Sequence, residues 1–235
     1  MLVATPFDEM LAERSRCSRW FGVYTALVTD IADPDGQGRV RVRLPWSPDA
    51  EDQAYEAWAR LATLMAGGER GSWFVPEVED EVLVAFEAGD PRRPYVVGAL
   101  WNGVDAPPES MDSAGQNDKK VLCSRNGVKV TLDDADGQES LTLETPGGQK
   151  LKLSDGPGKV HIEDSAGNAV TLESAGVTVQ AASKVNVQAG TVEINAGMVT
   201  VNAGMSKFNG VVQADVVISN SVIGTSYTPG AGNIW

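Results

Sequence analysis

Residues 170–204 read VTLESAGVTVQAASKVNVQAGTVEINAGMVTVNAG, and this stretch decides the architecture. Aliphatic residues sit two apart and the pairs recur: Val170/Leu172, Val177/Val179, Val185/Val187, Val192/Ile194 and Val199/Val201. Ala-Gly steps fill the gaps at Ala175-Gly176, Ala189-Gly190, Ala196-Gly197 and Ala203-Gly204. Spacing of two marks a short strand, and Gly marks a corner after it. Upstream the pairs continue at Val130/Leu132, Leu141/Leu143, Leu151/Leu153 and Val160/Ile162. Steps between pairs run from 9 to 11 residues before Val170 and shorten to 7 or 8 after it.

A β-helix wound from one chain needs about 20 residues per coil. Seven or eight residues make one strand and one corner, which is one wall of a triangular prism. Three chains, each giving one wall per layer, close the layer. Charge supports that reading: residues 181–235 hold only Lys184, Glu193, Lys207 and Asp215 as charged side chains. A thread so poor in charge cannot shield its aliphatic residues alone. An intertwined homotrimer covers them and pairs every sheet edge. The alternative, flat meander sheets in a monomer, leaves edges open to aggregation. About a dozen layers at ~4.8 Å make a needle of about 60 Å.

The rest of the chain differs in style. Of 235 residues, 32 are acidic and 19 basic, for a net charge of −13. The excess is concentrated in the first 110 residues, which carry 19 acids and 10 bases. Five of the 6 tryptophans (Trp20, Trp46, Trp58, Trp73, Trp101) also fall there. This acidity argues against a nucleic-acid partner, whose phosphates need clustered Lys and Arg. Strand signals appear at Phe21–Ile31, Arg39–Leu44, Trp58–Met65, Val82–Phe86 and Tyr95–Leu100, with a short helix signal at 6–16. Arg39-Val40-Arg41-Val42-Arg43-Leu44 alternates strictly, so one face is wet. Five short strands predict a small barrel; count and order suit an OB-fold, and count alone admits an SH3-like barrel. The fold class is therefore all-β: an OB-fold barrel, then an intertwined trimeric β-helix. Boundaries are placed at 1–19 (N-terminal segment), 20–105 (OB-fold domain), 106–120 (linker), 121–225 (needle) and 226–235 (tip segment).

Three segments carry a resemblance. They are WFGVY at 20–24 with GRVRVRLPW at 38–46, WARLA at 58–62 with GSWFVPEVEDEVLVAF at 71–86, and GDPRRPYVVGALWNG at 89–103. Together they resemble the OB domain of contractile-tail spike proteins, the family of phage baseplate assembly protein V and of the VgrG proteins of type VI secretion. Residues 121–225 are similar in architecture to that family's trimeric needle. The resemblance implies a non-enzymatic homotrimeric spike that pierces a target envelope. It also implies hub or baseplate proteins at the OB end and a PAAR-type tip protein at the other end. Asn233, Ile234 and Trp235 are the candidate tip-docking residues. VgrG proteins carry a large N-terminal hub domain, whereas about 19 residues precede Trp20. That likens the chain to a baseplate-V-type spike whose hub is a separate polypeptide. The linker has no room for a lysozyme domain.

Site candidates each have a plain structural reading. His161 is the single histidine, on the outward side of its strand, so a His-rich zinc site within one chain is excluded. No G-x-S-x-G elbow supplies a nucleophile for it. Asp133-Asp134 and Glu79-Asp80-Glu81 flank turns, where solvation explains them, and a prism offers no cleft for paired carboxylates. Asp133–Gly137 lacks the alternating ligands of a calcium loop. No catalytic, metal or cofactor residues are assigned, and no cofactor is expected. Arg39, Arg41 and Arg43 face either a neighbouring protomer's acids or water. Cys17 and Cys123 are expected to be reduced. MLVATPFDEM shows no basic n-region, so synthesis in the cytoplasm is expected, with assembly into a tail-like or secretion particle and contact with a target membrane only on puncture. The competing function is a trimeric receptor-binding or polysaccharide-degrading β-helix, which needs a groove lined by acids or aromatics. The needle half has almost no aromatics before Phe208 and Tyr227.

Overall fold

The computed structural model describes residues 19–48, 54–156 and 158–225. The helix signal at 6–16, Cys17 and the tip residues Asn233–Trp235 lie outside them. The chain divides into two compact units, Met1–Lys184 and Val185–Trp235.

The first unit begins with a closed barrel of β1 (Val23–Asp30), β2 (Val40–Pro48), β3 (Ala54–Leu61), β6 (Glu81–Phe86) and β7 (Pro94–Ala99). A two-stranded ribbon, β4 (Ala66–Gly67) and β5 (Arg70–Gly71), stands between β3 and β6. The order around the barrel is β1-β2-β3-β7-β6, returning to β1. Only β3 and β7 run parallel, pairing Arg60 with Tyr95 and Leu61 with Val96. That order and its single parallel pair give the OB arrangement. The core is the inward half of each alternating strand: Ala26, Val28, Val40, Val42, Leu44, Ala59, Val82, Val84, Phe86 and Val96. β-branched residues dominate it, as a pleated, half-buried surface favours.

Strand limits differ from the sequence reading, most of all in β2 and β3, and β3 also ends at Leu61, four residues before Met65. β2 runs past Pro45 to Pro48, with a break in register after Leu44, where proline cannot donate to the ladder. β3 starts at Ala54, four residues before Trp58, because Tyr55 and Glu56 find partners in Leu44 and Arg43. The turn between β1 and β2 is held by Asp33, whose carboxylate accepts from the amides of Asp35, Gln37 and Arg39. Arg39 closes it with Nη2 at 2.6 Å from both Asp33 and Asp35. That guanidinium holds the Asp33 carboxyl well below the usual range. Gly38 completes the turn at φ +71, and a Cβ there would meet the Trp73 ring at 2.9 Å.

Beyond the barrel the same unit forms a seven-stranded antiparallel meander: β8 (Lys119–Cys123), β9 (Lys129–Asp133), β10 (Ser140–Glu144), β11 (Lys150–Ser154), β12 (Lys159–Glu163), β13 (Ala169–Glu173) and β14 (Gly176–Gln180). Neighbours in sequence are neighbours in the sheet. The tight corners use glycine where φ must be positive. At Gly148, φ is +85 and a Cβ would press on Ser165 at 3.1 Å. Repeat steps of 9 to 11 residues therefore pair within one chain.

The second unit is different. No strand forms among the described residues from 181 to 225. The chain there is extended and bends at Gly190, Gly197 and Gly204, then at Gly210, Asp215, Asn220 and Thr225. The distance between bends shortens from seven residues to five. Extended chain rises about 3.3 Å per residue, so two fewer residues between bends shorten each run by about 7 Å.

Candidate functional site: an uncovered aliphatic face

Register in the meander aligns the aliphatic pairs into two columns that cross the sheet. One runs Leu122, Val130, Leu143, Leu151, Ile162, Val170, Val179. The other runs Lys120, Leu132, Leu141, Leu153, Val160, Leu172, Val177. Thus thirteen of the fourteen side chains on this face are aliphatic, and Lys120 occupies a corner. Cross-strand contact buries them only in part. Leu143 is 38% exposed, Ile162 47% and Val177 67%. A sheet with one aliphatic face needs a second layer against it.

The opposite face is polar. Its middle column is Val121, Thr131, Thr142, Lys152, His161, Thr171 and Thr178. Beside it Lys129, Glu144, Lys150 and Glu163 alternate in sign across adjacent strands. Opposite charges on neighbouring strands support the pairing, each pair by a few tenths of a kcal/mol. The two faces therefore have opposite destinations, one toward apolar matter and one toward water.

Each candidate residue has a place in this frame. His161 lies on the polar face, Nδ1 2.8 Å from Thr171 Oγ1 and Nε2 3.2 Å from Glu163 Oε2. Asp133 accepts from the Ala135 amide, and Asp134 pairs with Lys120 at 2.7 Å. Asp80 accepts from the Glu77 amide, and Glu81 from Asn102. These carboxylates serve turns and strand ends, and they do not converge. Arg39 binds Asp33 and Asp35, and Arg41 binds Glu56 at 2.8 Å, so both find acids within their own barrel. The amide side chain of Asn168 and nearby backbone N–H groups hold Asp164 below the usual carboxylate range at the β12–β13 corner. Arg92 does the same for Asp90, lowering its pKa to about 2. Cys123 is exposed.

Four of the five described tryptophans divide between two settings, and Trp58 lies under the Arg39 guanidinium, its ring centroid 5.7 Å away. Trp20, Tyr24, Trp46, Tyr55 and Phe86 form one cluster on the barrel, with Tyr24 and Trp46 stacked at 4.7 Å and Trp20 edge-on to Trp46, Tyr55 and Phe86. Such pairs prefer offset and edge geometries, and this cluster packs the barrel end. Trp73 and Trp101 stay outside it, both more than two-thirds exposed. The sequence did not reveal the β4–β5 ribbon or the tyrosine members of the cluster; period two does not mark residues brought together by barrel closure.

Comparison with known proteins agrees with this geometry. Residues 24–101 match the type VI secretion system/phage-baseplate injector OB domain. Residues 140–205 match the phage baseplate V C-terminal trimerisation domain, which begins in the aliphatic-faced sheet and ends in the bent segment. The type VI secretion system spike protein VgrG1b of Pseudomonas aeruginosa is 30% identical over 128 residues, which is 51% of this chain and 17% of that protein. The spike protein VgrG3 of Vibrio cholerae is 29% identical over 130 residues, 50% of this chain and 13% of its own length. The actin cross-linking toxin VgrG1 of Vibrio cholerae is 24% identical over 130 residues, 12% of its length. The chain thus spans under a fifth of the relatives it matches. With an injector OB domain at 24–101 followed by a baseplate V trimerisation domain at 140–205, the chain belongs to the contractile-tail spike family.

Proposed function

We propose that this chain is the central spike of a contractile injection machine, a homotrimeric needle that pierces a target envelope when the sheath contracts. The observation that carries the reading is the aliphatic face of β8–β14, contiguous over seven strands and uncovered within one chain. Three such walls turned inward close a prism, and the polar columns then face water. A trimerisation domain over residues 140–205, which takes in β10–β14, supports three copies rather than two. Hydrogen bonds running along the axis of stacked strands resist compression, which a piercing rod needs. Shortening of the bend spacing from seven residues to five narrows the rod toward its end.

In this reading the work is mechanical and the chain catalyses nothing. Hub or baseplate proteins hold the barrel end. A PAAR-type tip protein seats on Gly230–Trp235, with Asn233, Ile234 and Trp235 as the docking residues. The spike is assembled in the cytoplasm and reaches the target envelope on firing. The alternative adhesin or polysaccharide-degrading role needs a surface groove, and the polar columns of Thr, Lys, Glu and His161 provide no aromatic platform for a sugar.

Electron cryomicroscopy of the contractile particle tests both ends of this proposal. Density for the chain is expected as a threefold needle at the distal end of the tube, capped by a small cone. Truncation after Asn233 is expected to remove the cone and leave the needle. Density on tail fibres or along the sheath would overturn the spike role, and a cone that survives truncation would overturn the docking site.

A further inference from the structure

The polar face of the meander carries one exception. Its middle column is Thr, Lys or His from Thr131 to Thr178, yet it begins on Val121. Val121 lines a cavity of about 610 Å³ between residues 107–112 and the first two strands of the meander. Trp101, Pro108 and Met111 line it too, with Trp101 69% and Met111 64% exposed. A space of that size takes several side chains rather than an ion. Four carboxylates, on Glu109, Asp112, Asp118 and Asp133, also line it, against the ammonium of Lys119. An exposed apolar floor with a charged rim is the make-up of an interaction surface.

Beside this cavity runs an open sheet edge. β8 ends the meander, with β9 as its one neighbour. The Asp134 amide donates to the Asp118 carbonyl and the Ser124 amide to the Val128 carbonyl, one bond at each end of the β8–β9 pairing. In an antiparallel pair, alternate residues turn both backbone groups toward the partner. Asp118, Lys120, Leu122 and Ser124 are those residues here, so Lys119, Val121 and Cys123 turn theirs outward. Among the described residues no backbone group pairs with them. Lysines blunt an edge when their charge is free. Here Lys119 Nζ lies 3.8 Å from Glu109 and Lys120 Nζ 2.7 Å from Asp134, so both charges have partners. Lys119 and Val121 belong to the edge and to the cavity wall alike.

We propose that this junction docks an extended, basic segment of another protein, which adds to β8 as a further strand. The segment's backbone pairs with the outward groups of Lys119, Val121 and Cys123. An apolar side chain settles on Trp101, Met111 and Val121, and a Lys or Arg meets Asp118 and Asp133. Strand addition of this kind draws affinity from the backbone and specificity from alternate side chains. Charge argues against a further copy of this chain as the occupant. With 32 acids and 19 bases, a second copy would set acid against acid. Position gives the second argument, and it rests on the trimer reading above. There the aliphatic columns turn inward, so Val121 and the cavity beside it lie on the outer side of the prism, open to a partner.

A labelled synthetic peptide, Lys-Val-Arg-Ile-Lys-Val-Arg, tests the site on the full chain in about 0.15 M salt, where weak surface attraction is screened. Saturable binding by fluorescence polarisation is expected, with new hydrogen-exchange protection confined to residues 118–124. The same peptide N-methylated along its backbone keeps its charges but cannot donate, and it is expected not to bind. Asp118→Lys reverses one charge in the groove and is expected to weaken binding by about tenfold or more, at unchanged assembly mass. Equal binding of the methylated peptide, or protection elsewhere, would reduce the effect to charge attraction and overturn the site. Slow exchange at Lys119, Val121 and Cys123 before peptide is added would place another copy on the edge and overturn it too. Light scattering on the same samples separates this proposal from the trimer. A trimer that does not bind the peptide overturns the docking site alone, and a monomer that binds it upholds the site and overturns the trimer.

Discussion

Replacing Leu151 with aspartate is expected to abolish the trimer. Leu151 sits on β11, three strands from either edge of the meander, with Leu143 and Ile162 directly across from it. In the closed prism its side chain meets the aliphatic columns of two other copies. A carboxylate there has no partner, and an unpaired buried charge costs several kcal/mol. Symmetry triples that cost per assembly. The adjacent residue provides the control, because Lys152 points to the polar face beside Thr142 and His161. Lys152→Asp is expected to keep the trimer at its native mass. Light scattering on both variants decides the matter. A trimeric Leu151→Asp, or equal dissociation by both, would show that the aliphatic face is not the contact between copies.

The second large effect concerns length. Removing residues 192–198 takes out one whole heptad and leaves the bends at Gly190 and Gly204 bracketing an intact unit. The needle is expected to lose one layer per chain and remain a trimer, with slightly lower resistance to heat. Removing only residues 192–195 leaves three residues between corners. Seven residues span about 23 Å of wall and three span about 10 Å, so the remnant cannot reach from corner to corner. Winding should fail from that point on. Limited proteolysis is expected to cleave the four-residue deletion beyond Gly190 and to spare the seven-residue deletion. Equal resistance in the two proteins would contradict a wall of fixed length.

Much of this was legible in the residues, for identifiable reasons. Arg39–Leu44 alternates so strictly that its inward half, Val40, Val42 and Leu44, is fully buried in the barrel. The aliphatic pairs from Val130 to Val179 were likewise visible, since spacing of two assigns a face before any neighbour is known. Pairing partners were not visible. A step of ten residues suits either a hairpin within one chain or a strand of another copy, and only the register of β8–β14 chooses the first. The first step of seven, from Val170 to Val177, still closes a hairpin of β13 with β14, whereas the described residues from 181 to 225 form no strand at similar steps. Residues joined by closure were the least legible. Tyr55 reaches the Trp20 cluster because β3 extends back to Ala54, and neither propensity nor spacing marks that start. Arg39 and Arg41 likewise found acids of their own barrel through a turn and a neighbouring strand, where the sequence reading had offered a neighbouring protomer's acids or water.

The mass of the intact chain in solution bears most directly on the central claim that the aliphatic face is shared among three copies. Each chain weighs 24.9 kDa. Size-exclusion chromatography with multi-angle light scattering is expected to give three times that value at every concentration tested, and the same assembly should survive unboiled detergent electrophoresis. A stable monomer at 24.9 kDa, with its aliphatic face in water, would contradict the account.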